Sequence, residues 1–207
     1  MDMDNEENFK VYFHENIHLR TFLRDNITGG LIHSEFFPNK EFDEMKLSNS
    51  AQRIKIEPNA GGNSVISEVL SFEFLNQVCQ AELLETEMEV SYSQESSTKV
   101  DFVCKICDKK VGVSVTRAMK YRGSYTENDA NDLLTKKLRG IIRSRKNCME
   151  KWSKQILHVW VQNAETANII TVVYNNLPAN IRSDTIVLVT LTSFSSIYKD
   201  ERNKNTQ

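Results

Sequence analysis

The sequence predicts an α/β protein in which a mixed central β-sheet is flanked by helices. Apolar residues recur at helical spacing in three segments, residues 64–85, 126–150 and 164–176. Short apolar or alternating runs predict strands at residues 87–93, 156–161 and 185–192. Residues 99–117 hold two strand-like runs about a polar turn, the pattern of a β-hairpin. The resulting order from residue 63, α-β-β-β-α-β-α-β, places helices on both faces of one sheet.

The first of these helices is expected to begin at Asn63 or Ser64, since either side chain can accept a hydrogen bond from an unpaired backbone N–H. It is acidic, and the macrodipole alone favours an acid such as Glu68 near its start. Residues 87–93 then alternate polar and apolar, and Glu87 and Glu89 are expected to face solvent on that strand.

The hairpin has an acid, Asp101, at its entry and a polar turn at residues 108–110. Its second strand alternates, so that Ser114 and Thr116 share one face and three valines share the other. An even-numbered loop places Asp101 on the Ser114 face, opposite Thr116. A three-residue loop places it on the valine face, opposite Arg117.

The second long helix opens with a capping-box-like sequence at residues 126–129. Gly140 within this helix costs roughly 1 kcal/mol relative to alanine, so we expect close packing there. His158 lies in a predicted buried strand and is expected to be a hydrogen-bonded core residue.

The chain is expected to divide into an N-terminal extension (residues 1–62), a core (63–192) and a loose tail (193–207). Within the extension, residues 1–8 are expected to be disordered, and residues 51–57 to form one short element. Gly29-Gly30 and Gly61-Gly62 indicate turns. The four cysteines, Cys79, Cys104, Cys107 and Cys148, are expected to be free thiols. Cys104 and Cys107 form a CxxC and are expected to be core thiols, since structural zinc needs four ligands and no second CxxC or paired histidine is present.

No apolar stretch approaches the roughly 20 residues of a membrane span, and the acidic N-terminus lacks the layout of a signal peptide. We therefore expect a cytoplasmic or nuclear protein. The net charge of −2 hides an uneven distribution: residues 1–98 carry 7 basic and 18 acidic side chains, whereas residues 99–154 carry 15 basic and 6 acidic ones. Such a basic segment either binds a polyanion or neutralises the acidic N-terminal third.

The order of elements, with Asp101 at the head of the second strand, resembles the PD-(D/E)xK nuclease superfamily, which includes restriction endonucleases and Holliday-junction resolvases. The resemblance covers about residues 63–192 and implies a restriction-endonuclease-like core. It implies that Glu68 and Asp101 bind Mg²⁺ or Mn²⁺. The family's next acid and its lysine fall on Ser114 and Thr116, so this chain departs from the motif at both positions.

The resemblance also implies which residues would take the roles of the missing acid and the missing lysine. Ser114 would be a weak or water-mediated ligand, and Thr116 and Arg117 would contact phosphate. The lysine can migrate in this superfamily, and Lys120, Lys136 and Lys137 are the candidates, of which we predict Lys136. Basic residues would track the nucleic-acid backbone without base specificity. These are Lys120, Arg122, Lys136, Lys137, Arg139, Arg143 and Lys146.

Two functions of different classes follow. The first is a metal-dependent nuclease or phosphodiesterase acting on nucleic acid, with DNA and RNA both open. The second is a catalytically inactive nuclease-like fold that binds nucleic acid or protein, which the loss of the acid-x-lysine pair favours. An unrelated α/β domain is the third alternative. Clustering of Glu68, Asp101 and Ser114 favours the enzyme, and their dispersal favours the binding module.

Overall fold

The computed structural model describes residues 7–13, 16–24, 29–57, 64–93 and 98–199, with the backbone alone for residues 16–18 and 20. The strands are β1 (Phe9–Phe13), β2 (Gly30–Pro38), β3 (Glu82–Thr86), β4 (Phe102–Ile106), β5 (Lys109–Ala118), β6 (Lys154–Val161) and β7 (Thr185–Leu191). The helices are α1 (Asn16–Arg24), α2 (Asn49–Ile56), α3 (Val65–Cys79), α4 (Glu127–Asn147), α5 (Ala164–Asn176), α6 (Ala179–Arg182) and α7 (Ser195–Tyr198).

All seven strands form one sheet in the order β1-β2-β7-β6-β5-β4-β3. The four central strands β2, β7, β6 and β5 pair in parallel, and the strands outside them pair antiparallel. Helices cover both faces, so the predicted mixed α/β architecture is confirmed. The order from α3 to β7 is the predicted one, with the short helix α6 added before β7.

The two faces of the sheet carry different apolar clusters. On the α3 face, Val113 and Val115 of β5 belong to a cluster with Phe72 and Phe74 of α3. On the α4 face, Leu157 of β6 belongs to a cluster with the buried side of α4 and α5. Because β5 alternates, Ser114 and Thr116 point toward the α4 face.

Helix α3 is buried on nearly all sides, since the sheet lies on one side of it and α2 on the other. The Glu73 carboxylate ties the two helices together by accepting the Ser48 N–H at 2.9 Å. The helix ends at Cys79 because Gln80 adopts a left-handed conformation (φ 56°) and the Ala81 N–H turns back to the Leu75 carbonyl. The predicted continuation to residue 85 is therefore wrong, and residues 82–86 form β3.

The predicted strand at residues 87–93 is also wrong. The chain turns after β3, where the Glu89 N–H donates to the Thr86 carbonyl at 3.1 Å. Only an isolated bridge between Tyr92 and Cys148 follows. The hairpin between β4 and β5 turns at Cys107-Asp108, both with positive φ, rather than at residues 108–110.

The N-terminal segment belongs to the same sheet as the core, because β1 and β2 pair at its edge beside β7. Helix α2 matches the short element expected at residues 51–57. Gly61-Gly62 and residues 1–6 of the segment expected to be disordered lie outside the described residues. Gly29 and Gly30 precede and open β2, and an added Cβ there would lie 2.4 Å from the Thr185 carbonyl and the Phe22 ring, respectively.

The C-terminal segment is ordered as far as it is described. Helix α7 packs against the core, and Ile197 is 1% exposed. The expected loose tail therefore begins no earlier than residue 200, and residues 200–207 lie outside the description. Within the described part of the chain, no helix is long and apolar enough to cross a membrane.

Several smaller expectations can be compared with the structure. Gly140 is closely packed as predicted: an added Cβ would lie 3.0 Å from Thr98 Cγ2. Helix α4 ends at Asn147 rather than about residue 150. His158 is buried and shares a 2.7 Å hydrogen bond with Thr190, as expected for a core residue. The cysteines are free thiols, and Cys79, Cys104 and Cys148 are buried. The expectation that Cys107 is a core thiol is wrong, because it lies in the hairpin turn and is exposed.

Candidate functional site

The candidate site lies where β4 begins beside β5. The register pairs Phe102 with Val113, so Asp101, one residue earlier, is level with Ser114. The two-residue hairpin loop is even-numbered, and Asp101 therefore falls on the Ser114 face, which is one of the two alternatives that the sequence left open. Its direct neighbour, however, is Ser114 rather than Thr116, because the turn is tighter than expected.

The backbone of Val115 joins two charged side chains at this point. The Val115 N–H donates to Asp101 Oδ2 at 2.7 Å. Lys137 Nζ, from α4, donates to the Val115 carbonyl oxygen at 3.2 Å. The chain before Asp101 has already left the sheet, since the Val100 N–H donates to the Tyr92 hydroxyl. The side chains of Asp101 and Lys137 thus complete the hydrogen bonding of β5 where its neighbouring strand stops.

Glu68 reaches the same region from the first turn of α3. It is only 5% exposed, and the Ser64 hydroxyl donates to its carboxylate. Burial, followed by the negative charge of Asp101, raises the pKa of Glu68 to about 8. The packing of α3 between the sheet and α2 is the reason why this acid is buried.

Asp101 is affected in the same direction. Burial of its carboxyl raises its pKa to about 6, although the positive charge of Lys137 and the Val115 N–H oppose the change. The charge of Glu87 raises the pKa of both acids. Glu68, Asp101, Glu87 and Lys137 are therefore close enough to act on one another electrostatically, and perturbed acids of this kind are frequent at functional sites.

Glu87 is the residue that sequence reasoning missed. It follows directly after β3, in the turn that replaces the expected strand, whereas the sequence predicted that it would face solvent. The missing signal was the end of α3 at Cys79. Once β3 is placed at residues 82–86, antiparallel pairing with β4 brings the end of β3 beside Asp101.

Lys137, rather than the predicted Lys136, is the lysine brought to the acids. Successive helical residues point about 100° apart, and Lys136 is exposed on the outer side of α4. Arg117 does not reach the site, because its guanidinium donates to the carbonyl oxygens of Ile197 and Lys199 near α7. Thr116 is buried on the α4 face, two residues beyond Ser114 along β5.

Apart from Lys137, the basic residues predicted to contact nucleic acid fall into two groups. Four are exposed along the outer side of α4 and form no ion pair with any other described residue. We call them the basic stripe: Lys136, Arg139, Arg143 and Lys146. The other group lies between β5 and α4, where Lys120 pairs with Asp129 at 2.9 Å and Arg122 is exposed. The stripe spans eleven residues, or about 15 Å of helix from the first to the last.

The described residues provide few ligands for the expected Mg²⁺ or Mn²⁺. Among the described residues, no group of three or more histidine, cysteine, aspartate or glutamate side chains is placed to hold a metal ion. Glu68, which is buried, and Asp101, which is partly buried, remain as two carboxylates that a cation would stabilise in their ionised forms. Oxygen ligands of this kind suit Mg²⁺, which often takes only one or two carboxylates together with water and substrate phosphate.

Comparison with known proteins gives one relative. The chain is 43% identical over 176 residues to the AAC-rich mRNA clone AAC4 protein of Dictyostelium discoideum. The match covers 81% of this chain but 26% of that protein, so the chain spans about a quarter of the length of its relative. No protein-family model matches the chain, and no solved structure matches it significantly.

Proposed function

We propose that the chain is a metal-dependent phosphodiesterase that acts on nucleic acid, with its reacting centre where β4 begins beside β5. The observation that carries the proposal is the meeting of a buried acid, a partly buried acid and a lysine from three separate elements. Glu68 comes from α3, Asp101 from the start of β4 and Lys137 from α4. This combination of charges is the one implied by the PD-(D/E)xK resemblance, with the lysine moved from the strand to the helix.

Each residue has a distinct role in this proposal. Glu68 and Asp101 supply carboxylate oxygens to the metal, and the Ser114 hydroxyl is level with Asp101 as an additional polar group. Lys137 supplies a positive charge that stabilises negative charge developing on phosphate. Its hydrogen bond to the Val115 carbonyl orients the ammonium toward the acids.

A bound Mg²⁺ or Mn²⁺ would polarise the phosphate and lower the pKa of a coordinated water. The protein contributes the burial that excludes bulk water from Glu68 and strengthens every charge interaction there. The basic stripe on α4 would hold the nucleic-acid backbone through its phosphates, which favours affinity without base specificity.

The proposal is tested by thermal unfolding with and without Mn²⁺, because a ligand that binds only the folded state raises the midpoint. We expect Mn²⁺ to stabilise the wild-type protein and to have no effect on Asp101→Asn. Glu165→Gln, which removes an exposed acid elsewhere, is the matched control and should respond as the wild type does. An equal response of all three proteins, or of none, would contradict the proposed site.

A catalytically inactive binding module is the second candidate. The observation that favours it is the presence of Ser114 and Thr116 at the positions of the missing acid and lysine, together with the burial of Thr116. The basic stripe needs no metal to attract nucleic acid. Nucleic-acid binding that persists without any Mn²⁺ response or phosphodiester cleavage would support this function instead of the enzyme.

A further inference from the structure

A crevice lies at the carboxyl ends of β2, β6 and β7. The helix that follows β6, α5, covers the α4 face of the sheet, whereas the helices that follow β2, α2 and α3, lie on the α3 face. Strands β6 and β7 are parallel neighbours, and α7, which follows β7, packs on the α3 face, so the connections diverge to opposite faces between β6 and β7. In open α/β sheets, a divergence of this kind leaves a crevice in which ligands bind.

The crevice has a volume of about 260 Å³. This volume is just below the range of pockets for drug-sized ligands, which suits a single small ring system. The Phe37 ring lines the crevice and is 46% exposed, unusual for a large aromatic side chain. The Tyr12 ring packs against Phe37 at an interplanar angle of 81°, with 5.5 Å between ring centres. Phe37 is therefore an exposed aromatic surface held by its neighbour.

Polar groups face the same space from neighbouring loops. Gln162 and Asn163 line it after β6, Ser193 lines it after β7, and Glu35 lines it from β2. In the described part of the chain, the Gln162 amide and the Ser193 hydroxyl make no hydrogen bond. Asn163 Oδ1 accepts the Thr166 N–H at 2.8 Å as the α5 cap, and its amide nitrogen remains available to donate.

We propose that this crevice binds a nucleobase, which stacks on Phe37 and is read by the amides of Gln162 and Asn163. Stacking on an exposed aromatic ring and hydrogen bonding to the base edge together form a common mode of single-strand recognition. The described residues that line the crevice include a carboxylate and no lysine or arginine, so the base rather than a phosphate fits it. This binding site is independent of the proposed phosphodiesterase centre.

The carboxylate gives the site a preference. Glu35 accepts hydrogen bonds and cannot donate them when ionised. Adenine, cytosine and guanine carry an exocyclic amino group that can donate to Glu35, whereas uracil carries none. We therefore expect adenosine, cytidine and guanosine to bind more tightly than uridine, and Glu35→Gln to reduce that preference.

The proposal is tested by NMR titration of the whole chain with the four nucleosides and with single-stranded homopolymer decamers. The nucleosides test recognition of the base alone. The decamers test a base within a strand, whose phosphates can reach Lys120 in the neighbouring crevice that Gln162 and Asn163 also line. Phe37→Ala should weaken binding by about fivefold or more, the effect of losing one base–aromatic stack.

Two further variants make the test specific. Phe37→Leu keeps an apolar side chain without a ring and should weaken binding as Phe37→Ala does. Tyr121→Ala removes an aromatic side chain that is 73% exposed outside this crevice and should bind as the wild type does. The proposal is overturned if neither nucleosides nor decamers bind at millimolar concentration, or if both bind to Phe37→Ala as tightly as to the wild type.

Discussion

Asp101 Oδ2 accepts the backbone N–H of Val115 at 2.7 Å, so a single carboxylate both completes a strand and occupies the candidate site. This double role separates two substitutions. Asp101→Asn keeps an oxygen that can accept the Val115 N–H. It also removes a carboxyl group whose ionised form is disfavoured by burial. Asp101→Ala leaves the N–H unpaired, at a cost of about 1–3 kcal/mol.

We therefore expect Asp101→Asn to be more stable than the wild type at pH 8, by about 1–3 kcal/mol. Asp101→Ala should be less stable than Asp101→Asn at the same pH. Urea unfolding followed by circular dichroism measures both differences. Equal stabilities of the two variants would show that the hydrogen bond to Val115 contributes nothing.

The pKa of Glu68 predicts a pH dependence of stability. Its folded-state pKa of about 8 lies above its ordinary value of 4.5, so between these values the folded state binds more protons than the unfolded state. The contribution of Glu68 to the free energy of unfolding is therefore fully present below pH 4.5 and is lost as pH rises through 8. In Glu68→Gln this loss should disappear.

The stability of Glu68→Gln relative to the wild type should consequently rise with pH, by up to about 1.4 kcal/mol per pH unit between pH 5 and pH 8. Urea unfolding at several pH values measures the difference, and acids that do not interact with Glu68 cancel in the comparison. The exposed Glu165→Gln serves as the control and should show no such trend. A flat difference for Glu68→Gln would mean that Glu68 ionises normally.

Lys137 and the adjacent Lys136 form a matched pair for activity. If Lys137 stabilises charge on the phosphate, Lys137→Ala should lower kcat by about 10²-fold or more, as expected for a lost electrostatic contact. Lys136→Ala should leave kcat unchanged, because that side chain lies on the outer side of α4. Cleavage of a labelled oligonucleotide in Mn²⁺ measures kcat for both variants. Equal kcat values would show that Lys137 takes no part in the reaction.

The basic stripe predicts a salt-dependent affinity. Replacing Arg139 and Arg143 together with glutamine should weaken nucleic-acid binding about equally for different sequences. The slope of log Kobs against log salt should become shallower by roughly 0.7 per lost contact for a single strand. Fluorescence anisotropy at several salt concentrations measures the slope. Lys10→Gln removes an exposed cation elsewhere and serves as the control. An unchanged slope in the double variant would mean that the stripe makes no phosphate contact.

Gly112 predicts a packing effect beside the site. An added Cβ would lie 2.7 Å from Trp152 Cε2, within a ring that is itself buried. Gly112→Ala should therefore lower the free energy of unfolding by about 1–3 kcal/mol through overpacking. Trp152→Phe, which removes the contacted atoms, should make the cost of Gly112→Ala smaller in the double variant. A neutral Gly112→Ala would show that Trp152 moves freely.

Local patterns in the sequence were sufficient for the elements whose boundaries depend on short-range signals. Helix α5 begins and ends at the predicted residues 164 and 176, where Asn163 caps it and Pro178 follows its end. The end of α3 was not predictable in this way. Residues 80–85 have no glycine or proline to stop a helix, and they form β3 because they pair with β4, which lies distant in the sequence.

Because α3 was extended to residue 85, the next strand was predicted at residues 87–93, and Glu87 was expected to face solvent rather than to lie near the two acids. The choice between Lys136 and Lys137 failed for a related reason, since it depends on the rotational position of α4 against the sheet. The face of Asp101 depends on the parity of the hairpin loop, which the sequence left open and the two-residue loop decides. The resemblance to PD-(D/E)xK nucleases remains a prediction.

Burial of α3 on nearly all sides also bears on how the candidate site fluctuates. A helix segment that is buried on all sides, as at Val69 and Leu70, opens only when much of the protein unfolds, so the amide hydrogens of these two residues should exchange among the slowest in the chain. Glu87 lies in a turn after a strand at the sheet edge, where opening requires less energy. Glu68 is thus attached to a part of the molecule that opens slowly, whereas Glu87, whose charge acts on Glu68, lies in a part that opens more readily. The position of Glu68 would stay fixed while its electrostatic surroundings fluctuate.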